Sequence, residues 1–307
     1  MKKVGIYFLG LRRLDLLKCH LPQLAKCKNR DFHFYLMSNQ ADQSHIDLLN
    51  KYLPNQSSVV SGFDPNNDYL NKVVFAINQS HKYSVKMDED CILLGESWDR
   101  FLSLMDQMTD SDLFCTGAIS NGVPGCDFFI KNFIPHARNE LGDMFAKTKF
   151  IRMGTANYTL LNREYPNGWD SDKFYEEVWK INHYYMGIHP VRYNFDAAYR
   201  LNDYILADPI KNMTPINAEI IRDVNKYPYF CNSFFGIRTE DWRTIVFRMD
   251  LFVDPFEEVP LNRYRHETNR NMVMDTGIPI LHTMYNWSMN WEYENTLIGK
   301  LIDVYSR

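Results

Sequence analysis

The sequence predicts an α/β fold in which a mostly parallel central sheet is flanked by helices. Apolar runs of strand length alternate with helix-like stretches along the first part of the chain, and this alternation is typical of a parallel sheet covered by helices. The 307 residues are 45% hydrophobic and 15% aromatic, which is enough for a substantial core. We therefore expect a folded, enzyme-sized protein and exclude a disordered chain.

The predicted elements follow in order along the chain. Residues 3–9 are an apolar run that ends at Gly10, which predicts a strand, and apolar residues recur at helical spacing over 14–24. Further strands are predicted at 32–37, 58–60, 83–87 and 229–238, with helices at 69–77, near 239 and near 255. Between about 158 and 204 aromatic residues crowd together among Asn, Asp and Gly, which predicts an inserted, less regular region.

Charge and cysteine spacing limit the class of protein. The net charge of -4 at pH 7 argues against a globally basic nucleic-acid binder. Six cysteines occur without a CxxC pair, so neither a zinc knuckle nor a disulfide framework is predicted. The first residues lack a signal-peptide segment and no apolar run has the length of a membrane span. We therefore expect a soluble, cytoplasmic enzyme without membrane insertion, in a bacterium or a phage-infected cell.

An acidic triplet, Asp88, Glu89 and Asp90, directly follows the strand predicted at 83–87. Carboxylates at positions i and i+2 converge on one cation where the chain turns, and hard oxygen ligands suit Mn²⁺ or Mg²⁺. Isolated triplets of this kind are often solvated turns. Here apolar residues flank the acids, and burying carboxylates among them is costly unless a cation compensates. The triplet therefore predicts a site for Mn²⁺ or Mg²⁺, which binds the phosphate oxygens of a nucleotide diphosphate.

The predicted site lies at one edge of the sheet. In open α/β sheets, ligands bind beyond the carboxyl ends of the strands. Gly10, Asn39 and Asp88 each follow a predicted strand. We therefore expect these three residues to face the same crevice.

With this motif the sequence resembles the fold-A (GT-A) glycosyltransferases of the DxD type, which use nucleotide-sugar donors. Residues 69–72 and 86–90 resemble the segment around the family's DxD motif, and residues 232–238 resemble the strand that lines its acceptor side. Residues 257–262 resemble its acidic helix start, and His282, after the apolar run 278–281, is similar to the late histidine that completes its metal site. The chain departs from the family in lacking a glycine in 232–234.

The resemblance implies a Rossmann-like GT-A fold that forms a single catalytic domain over residues 1–307. Within it we expect a nucleotide-sugar-binding half at 1–118, an irregular, aromatic-rich insertion on the acceptor side at 119–225, and an acceptor, catalytic and metal-completing segment at 226–307. The rings of the insertion most simply pack an irregular core, and a platform for a sugar or base is the alternative. The implied metal ligands are Asp88, Asp90 and His282.

The resemblance also implies transfer of a sugar from a UDP-sugar donor to an acceptor hydroxyl, with inversion in a single displacement. Guanidinium groups match phosphate oxygens, and the residues expected to contact the donor are Gly10, Arg12, Arg13, Asn39, Lys72, Lys86, Asp88 and Glu89. The expected general base is Glu258, in a first helical turn, with Glu257 as its rival and Glu240 or Asp241 next. Acids are also common in first helical turns because they complement the helix dipole.

Other functions require different features of the sequence. A nicotinamide dehydrogenase is excluded because no GxGxxG follows the first strand. A metal-dependent phosphoesterase would use the same acids, although such sites usually recruit more carboxylates and histidines. A non-catalytic sugar-binding module would bind sugar without nucleotide. Neither the transferred sugar nor the oligomeric state follows from the sequence.

The acceptor is either a glycan or polymer hydroxyl, or a hydroxymethylated base in DNA, as in the sugar transferases of some phages. The second alternative draws on a group of basic residues around the predicted catalytic helix: Arg238, Arg243, Arg248, Arg263, Arg265, His266 and Arg270. These residues are either ordinary solvated charges or a track for DNA phosphates. A DNA track would make duplex affinity fall with salt, and Arg265→Ala would flatten that dependence.

Overall fold

The computed structural model describes residues 2–10, 13–93, 95–122, 124–147, 191, 194–209, 211–222, 230–248, 258–283 and 291–306. Within these ranges nine strands form one sheet. No helix in the same ranges combines the length with the apolar composition that crossing a lipid bilayer requires.

The sheet is mixed and mostly parallel. Its strands are β1 (Val4–Leu9), β2 (Phe32–Met37), β3 (Ser57–Val60), β4 (Tyr83–Asp88), β5 (Cys91–Ile92), β6 (Asp112–Ile119), β7 (Ile220–Arg222), β8 (Phe234–Arg238) and β9 (Asn271–His282). The spatial order is β3-β2-β1-β4-β8-β6-β9-β5, and β7 also pairs with β9. β8 lies antiparallel between β4 and β6, while β1, β2, β3, β4, β6 and β9 share one direction. This architecture confirms the predicted α/β, Rossmann-like fold.

The helices pack against the sheet, and some of them also pack against one another. They are α1 (Leu17–Ala25), which follows a 3-10 turn at Leu14–Leu16, α2 (Gln43–Tyr52), α3 (Asp68–Ile77), α4 (Gly95–Asp106), α5 (Gly125–Phe133), α6 (Arg138–Ala146), α7 (Phe195–Ala207), α8 (Thr239–Arg248), α9 (Glu258–Glu267) and α10 (Trp291–Tyr305). One apolar cluster packs around the sheet, and a second joins α5, α6, α7 and α10. Every residue of β1 and of β6 is buried, as expected for strands covered on both faces.

Most predicted elements are confirmed, and two need correction. The run predicted as a strand at 229–238 is a strand only from Phe234, because residues 232–233 form a turn at the sheet edge. Most of 158–204 lies outside the described residues, but its last part belongs to the regular helix α7 and not to an irregular region. Asn194 caps α7 by accepting a hydrogen bond from the amide of Ala197 at 3.0 Å. The division at 118 and 225 stays a prediction.

The strand register defines two edges of the sheet. Leu9 pairs with both Met37 and Asp88, and Ile119 pairs with Ile280. The carboxyl ends of β1, β2, β4, β6 and β9 therefore lie along one edge, here named the carboxyl edge, and their first residues lie along the opposite, amino edge. Because β8 is antiparallel, it begins at the carboxyl edge and ends at the amino edge.

Candidate active site

The acidic turn predicted to bind metal is held at the carboxyl edge from three directions. The amide of Asp88 donates to the carbonyl of Ser233 at 2.9 Å, and the amide of Thr283 donates to the carbonyl of Asp90 at 2.9 Å. Nε2 of His20 contacts the carbonyl of Glu89 at 2.9 Å, and a carbonyl only accepts, so Nε2 carries the proton. The start of β8, the end of β9 and helix α1 thus fix the backbone of the turn.

His20 is fully buried beneath this turn. Burial lowers the pKa of His20 to about 4, although its hydrogen bond to the Glu89 carbonyl and the charge of Asp90 act in the opposite direction. The ring is therefore neutral at neutral pH and donates through Nε2. Its Nδ1 has no hydrogen-bond partner among the described residues. An apolar side chain would fill this position without the cost of an unsatisfied nitrogen, so packing alone does not explain a histidine here.

Asp90 and His282 meet because β5 pairs with the end of β9. Cys91 lies directly opposite His282 in this antiparallel pair. His282 Nε2 lies 2.9 Å from Asp90 Oδ2, and both side chains are almost fully buried. On the other side of the ring, Nδ1 contacts Oδ1 of the buried Asn121. With the amide of Asn121 in this orientation Nδ1 is the donor, and in the neutral ring the lone pair of Nε2 then faces the carboxylate.

Asp88 is paired with a buried lysine. Lys86 Nζ lies 2.6 Å from Asp88 Oδ1 and donates to the carbonyl of Asn232 at 2.8 Å. Although 31% of the Asp88 side chain is exposed, loss of hydration raises the pKa of Asp88, Asp90 raises it further, and Lys86 opposes both. Each pKa unit of such a shift corresponds to about 1.4 kcal/mol between the two protonation states. The carboxylate is thus held in place at an electrostatic cost.

The arrangement fits a divalent cation. A carboxylate oxygen and an imidazole lone pair that face each other at 2.9 Å need a proton or a cation between them. Asp88 interacts electrostatically with both Asp90 and His282, but it does not belong to the close group that those two residues form with Cys91. Oxygen and imidazole ligands suit Mn²⁺, and carboxylate oxygens also suit Mg²⁺. The metal role itself stays a prediction.

Several of the described residues predicted to contact the donor have partners within the chain. Lys72 Nζ donates to the carbonyl of Gly10 at 3.1 Å and contacts Asp68 at 2.6 Å. The side chain of Asn39 accepts from the amides of Gly62 and Phe63, and donates to the carbonyl of Phe63 at 2.8 Å. These contacts hold the loops that follow β1, β2 and β3 near one another.

The two arginines of the first loop differ in what the structure describes. Arg13 contacts both carboxylate oxygens of Asp15, at 3.2 and 2.8 Å, and Asn295 at 2.6 Å. To reach a phosphate, its guanidinium would exchange these partners. Arg12 lies outside the described residues. Glu89 is buried in the acidic turn.

The general-base candidates separate between the two edges. Helix α9 runs away from the acidic turn toward the amino edge. Near its start, Asn262 forms two 3.0 Å hydrogen bonds with the backbone of Phe230, just before β8. Its end leads to the first residue of β9 at the amino edge. Glu258 begins α9 and so lies toward the carboxyl edge. The side chain of Glu258, and all of Glu257, lie outside the described residues.

Glu240 and Asp241 lie at the amino edge, opposite the acidic turn. They begin helix α8, whose first residue, Thr239, donates to the carbonyl of Lys82 at 3.1 Å at the amino edge. Asp241 accepts hydrogen bonds from Arg270 at 2.6 and 2.8 Å. The length of β8 therefore separates both acids from the metal ligands.

The structure places several residues of the possible DNA track against partners within the chain. Arg265, chosen as the test residue, is 0% exposed and does not reach a phosphate on the surface. Arg238 donates to the carbonyls of Met108 and Thr109, and Arg243 donates to the carbonyl of Ile77. Arg270 contacts Asp241 and the carbonyl of Asp112, and His266 lies beside Arg265, whereas Arg248, over the ring of Tyr264, and Arg263 are exposed.

Two residues of the site were missed by sequence reasoning. Asn121 follows the apolar strand β6, and a polar pair directly after a buried run was a signal that could have found it. His20 occupies an apolar face of α1 beside Leu17, Leu21 and Leu24. Histidines in such positions are usually only packed, so the pattern gave no signal for a contact with the acidic turn.

Comparisons with known proteins find distant structural similarity and no family. No protein-family model matches the chain, and no curated protein matches it. Among solved structures, the chain is similar to a cytidylyltransferase from Leptospira borgpetersenii serovar Hardjo-bovis (strain JB197), with 20% sequence identity and a TM-score of 0.30. The similarity covers 38% of this chain and 54% of that one, so the chain spans about half the length of the cytidylyltransferase.

Proposed function

We propose that this protein is a metal-dependent glycosyltransferase that moves a sugar from a UDP-sugar donor to an acceptor hydroxyl. The observation that carries the proposal is the contact between Asp90 and His282, beside Asp88, at the carboxyl edge of a mostly parallel sheet. This edge is where open α/β sheets bind ligands. His282 comes from a distant part of the sequence and meets Asp90 directly, while Asp88 interacts with both residues electrostatically.

In this proposal, Asp88, Asp90 and His282 hold Mn²⁺ or Mg²⁺. When bound, the ion neutralises charge that develops on the departing diphosphate. Lys86 keeps the Asp88 carboxylate in place, and His20 keeps the carbonyl of Glu89 turned toward α1. The fixed backbone of the turn orients the carboxylates before the donor arrives, which lowers the entropy cost of binding.

Glu258 accepts the proton of the acceptor hydroxyl. It begins a helix that starts toward the carboxyl edge, where backbone N–H groups hold a carboxylate. Attack by that hydroxyl on the face opposite the diphosphate inverts the sugar in a single displacement, and Glu257 is the alternative base. Because Arg238, Arg243 and Arg265 are engaged or buried within the protein, a saccharide is favoured over duplex DNA as the acceptor.

The first test is calorimetry of UDP binding with and without Mn²⁺, followed by transfer assays over a panel of nucleotide sugars. Wild-type protein should bind UDP more tightly with Mn²⁺, and Asp90→Asn should lose this dependence while keeping its circular dichroism spectrum. Asp106→Asn is the matched control, because Asp106 pairs with Lys3 at the amino edge.

The other functions predict different results in the same assays. Phosphate release from simple phosphoesters without sugar transfer would indicate a phosphoesterase. Sugar binding that needs neither nucleotide nor metal would indicate a binding module. UDP binding that Mn²⁺ does not change in the wild-type protein would contradict the metal-dependent proposal.

A further inference from the structure

A buried thiol accompanies the Asp90 and His282 pair. Cys91 lies directly opposite His282 in the β5–β9 pair, and directly opposed residues project from the same face of a sheet. Cys91 Sγ, a carboxylate oxygen of Asp90 and a ring nitrogen of His282 all lie within 4.8 Å of one another. All three side chains are buried. In the described part of the chain, this is the one group of three such ligand residues that lie so close together.

The mixture of ligand atoms selects a class of cation. Sulfur, nitrogen and oxygen ligands together are typical of Zn²⁺, whereas Mg²⁺ prefers oxygen alone. Zinc lies about 2.0 to 2.3 Å from such ligands in a tetrahedral arrangement, so two ligand atoms on one ion are about 3.3 to 3.8 Å apart. The three ligand atoms lie within 4.8 Å of one another, so binding would draw them together by at most about 1 to 1.5 Å. Three protein ligands and one open position are the arrangement of a zinc site that is open to a ligand.

We propose that Asp90, Cys91 and His282 form a site for a thiophilic divalent cation, with Zn²⁺ as its natural representative. On binding, the S–H bond of Cys91 breaks, a metal–sulfur bond forms and the proton passes to solvent. Asp88 is not part of this set. The site shares Asp90 and His282 with the Mn²⁺ site of the proposed function, so Zn²⁺ bound here would displace Mn²⁺. Only this consequence rests on the proposed function.

A second buried cysteine provides the comparison that the experiment needs. Cys231 is as buried as Cys91 and lies close enough to influence it electrostatically. Its thiol is hydrogen-bonded to the hydroxyl of Ser233, with Sγ and Oγ 3.0 Å apart. It is not part of the group formed with Asp90 and His282. Cys231→Ser thus removes a neighbouring thiol without removing a proposed ligand.

The test is a Cd²⁺ titration of the reduced, chelator-treated full chain, followed by the ultraviolet thiolate-to-cadmium charge-transfer band. Wild-type protein and Cys231→Ser should show the band at one Cd²⁺ per chain, Zn²⁺ should remove it by competition, and excess Mg²⁺ should not. Cys91→Ser should lose the band and bind Zn²⁺ at least about tenfold more weakly, because loss of a ligand costs no less than loss of a residue that orients one.

A persistent band in Cys91→Ser, or an equal loss in Cys231→Ser, would overturn the proposal. If serine at 91 disturbs folding, His282→Ala decides instead, because it keeps the thiol and should still weaken Cd²⁺ binding at least about tenfold. Mn²⁺-dependent UDP binding without any cadmium band would overturn this inference and leave the proposed function intact. A cadmium band without Mn²⁺-dependent UDP binding would overturn the proposed function and leave this inference intact.

Discussion

The two edges of the central sheet place similar charged residues in different surroundings. At the amino edge, Asp241 accepts hydrogen bonds from Arg270 at 2.6 and 2.8 Å and from Arg238 at 3.3 Å. At the carboxyl edge, Asp88 and Asp90 lie close enough that the charge of one raises the pKa of the other. The amino edge thus compensates one carboxylate with two cations, whereas the carboxyl edge brings two carboxylates together beside one lysine.

This difference separates the residues that stabilise the fold from those that we expect to bind a ligand. Bringing like charges together in a partly buried place is costly, and such costs concentrate at functional sites. A fully compensated cluster has no such cost and is explained by stability alone. We therefore expect substitutions at the carboxyl edge to change binding and transfer, and substitutions at the amino edge to change the free energy of unfolding.

The largest expected effect is on the rate of transfer. Glu258→Gln keeps the size of the side chain and removes its basicity, so transfer should fall by about a hundredfold or more while UDP affinity is kept. Glu240→Gln, at the start of the amino-edge helix α8, should leave the rate unchanged. Single-turnover assays with a saturating UDP-sugar measure both. A wild-type rate in Glu258→Gln would move the role of base to Glu257.

A smaller effect is expected on metal affinity. Asn121→Ala removes the oxygen that accepts from Nδ1 of His282, so the ring loses its fixed orientation and Mn²⁺ affinity should fall by about 10- to 100-fold. Asn271→Ala is the amino-edge counterpart, because Asn271 donates to Asp112 at 3.3 Å. It should leave Mn²⁺ affinity unchanged in calorimetry. Equal losses in both variants would show that the two edges do not differ in this respect.

The third effect is on the free energy of unfolding, and it should be larger at the amino edge than at the carboxyl edge. Asp241→Asn leaves two arginines without their carboxylate, so the free energy of unfolding should fall by about 1–3 kcal/mol. Asp90→Asn relieves the repulsion with Asp88, so the metal-free protein should be as stable as the wild type or more stable. Urea unfolding at neutral pH in the presence of a chelator compares the two. A larger loss in Asp90→Asn than in Asp241→Asn would break the comparison.

The smallest effect is a pH dependence that comes from His20. Its folded pKa of about 4 lies below its ordinary value of 6.5, so between these values the unfolded chain binds more protons than the folded protein. Stability is therefore complete above pH 6.5 and is lost as pH falls toward 4, by about 1 kcal/mol at pH 5.5. His20→Gln keeps an N–H donor at the position of Nε2 and should lack this loss in urea unfolding at pH 7.5 and 5.5.

A wild-type acid sensitivity in His20→Gln would assign the loss to other groups. His20→Leu provides a further check, because it keeps an apolar contact and removes the hydrogen bond to Glu89. It should weaken Mn²⁺ affinity, whereas His20→Gln should not. Equal Mn²⁺ affinities in the two variants would show that the hydrogen bond does not position the acidic turn.

The sequence predicted the parts of this molecule that depend on local patterns. Apolar runs placed β1 and β2 correctly, because a strand covered on both faces is a run of consecutive apolar residues. Asp88 and Asp90 were found in the same way, as a short motif that follows such a run. His282 was selected by family resemblance, and Glu240 and Asp241 were the next candidates for the base after Glu258 and Glu257. These two acids lie at the wrong edge because β8 is antiparallel, a pairing that no local pattern contains.

Contacts between distant segments could not be predicted. His20 meets the carbonyl of Glu89 across 69 residues, and Asn121 meets His282 across 161 residues. Neither pair has a spacing rule, because each depends on how complete strands and helices pack. The expectation that Arg265 lies on the surface was wrong for a related reason. An arginine in a helix is normally solvated, and the burial of Arg265 follows only from the position of α9 against the sheet.

The pairing of β5 with β9 also has a consequence for the order in which the protein matures. A chain leaving the ribosome acquires β4 and the acidic turn early, whereas His282 is synthesised roughly 190 residues after Asp90. Contacts between such distant segments form late, because a long loop must close first. A nascent chain that has not yet produced β9 therefore carries Asp88 and Asp90 without their third partner. Under the proposed function, acquisition of a tightly bound metal would report that synthesis has passed β9 and that the sheet has closed.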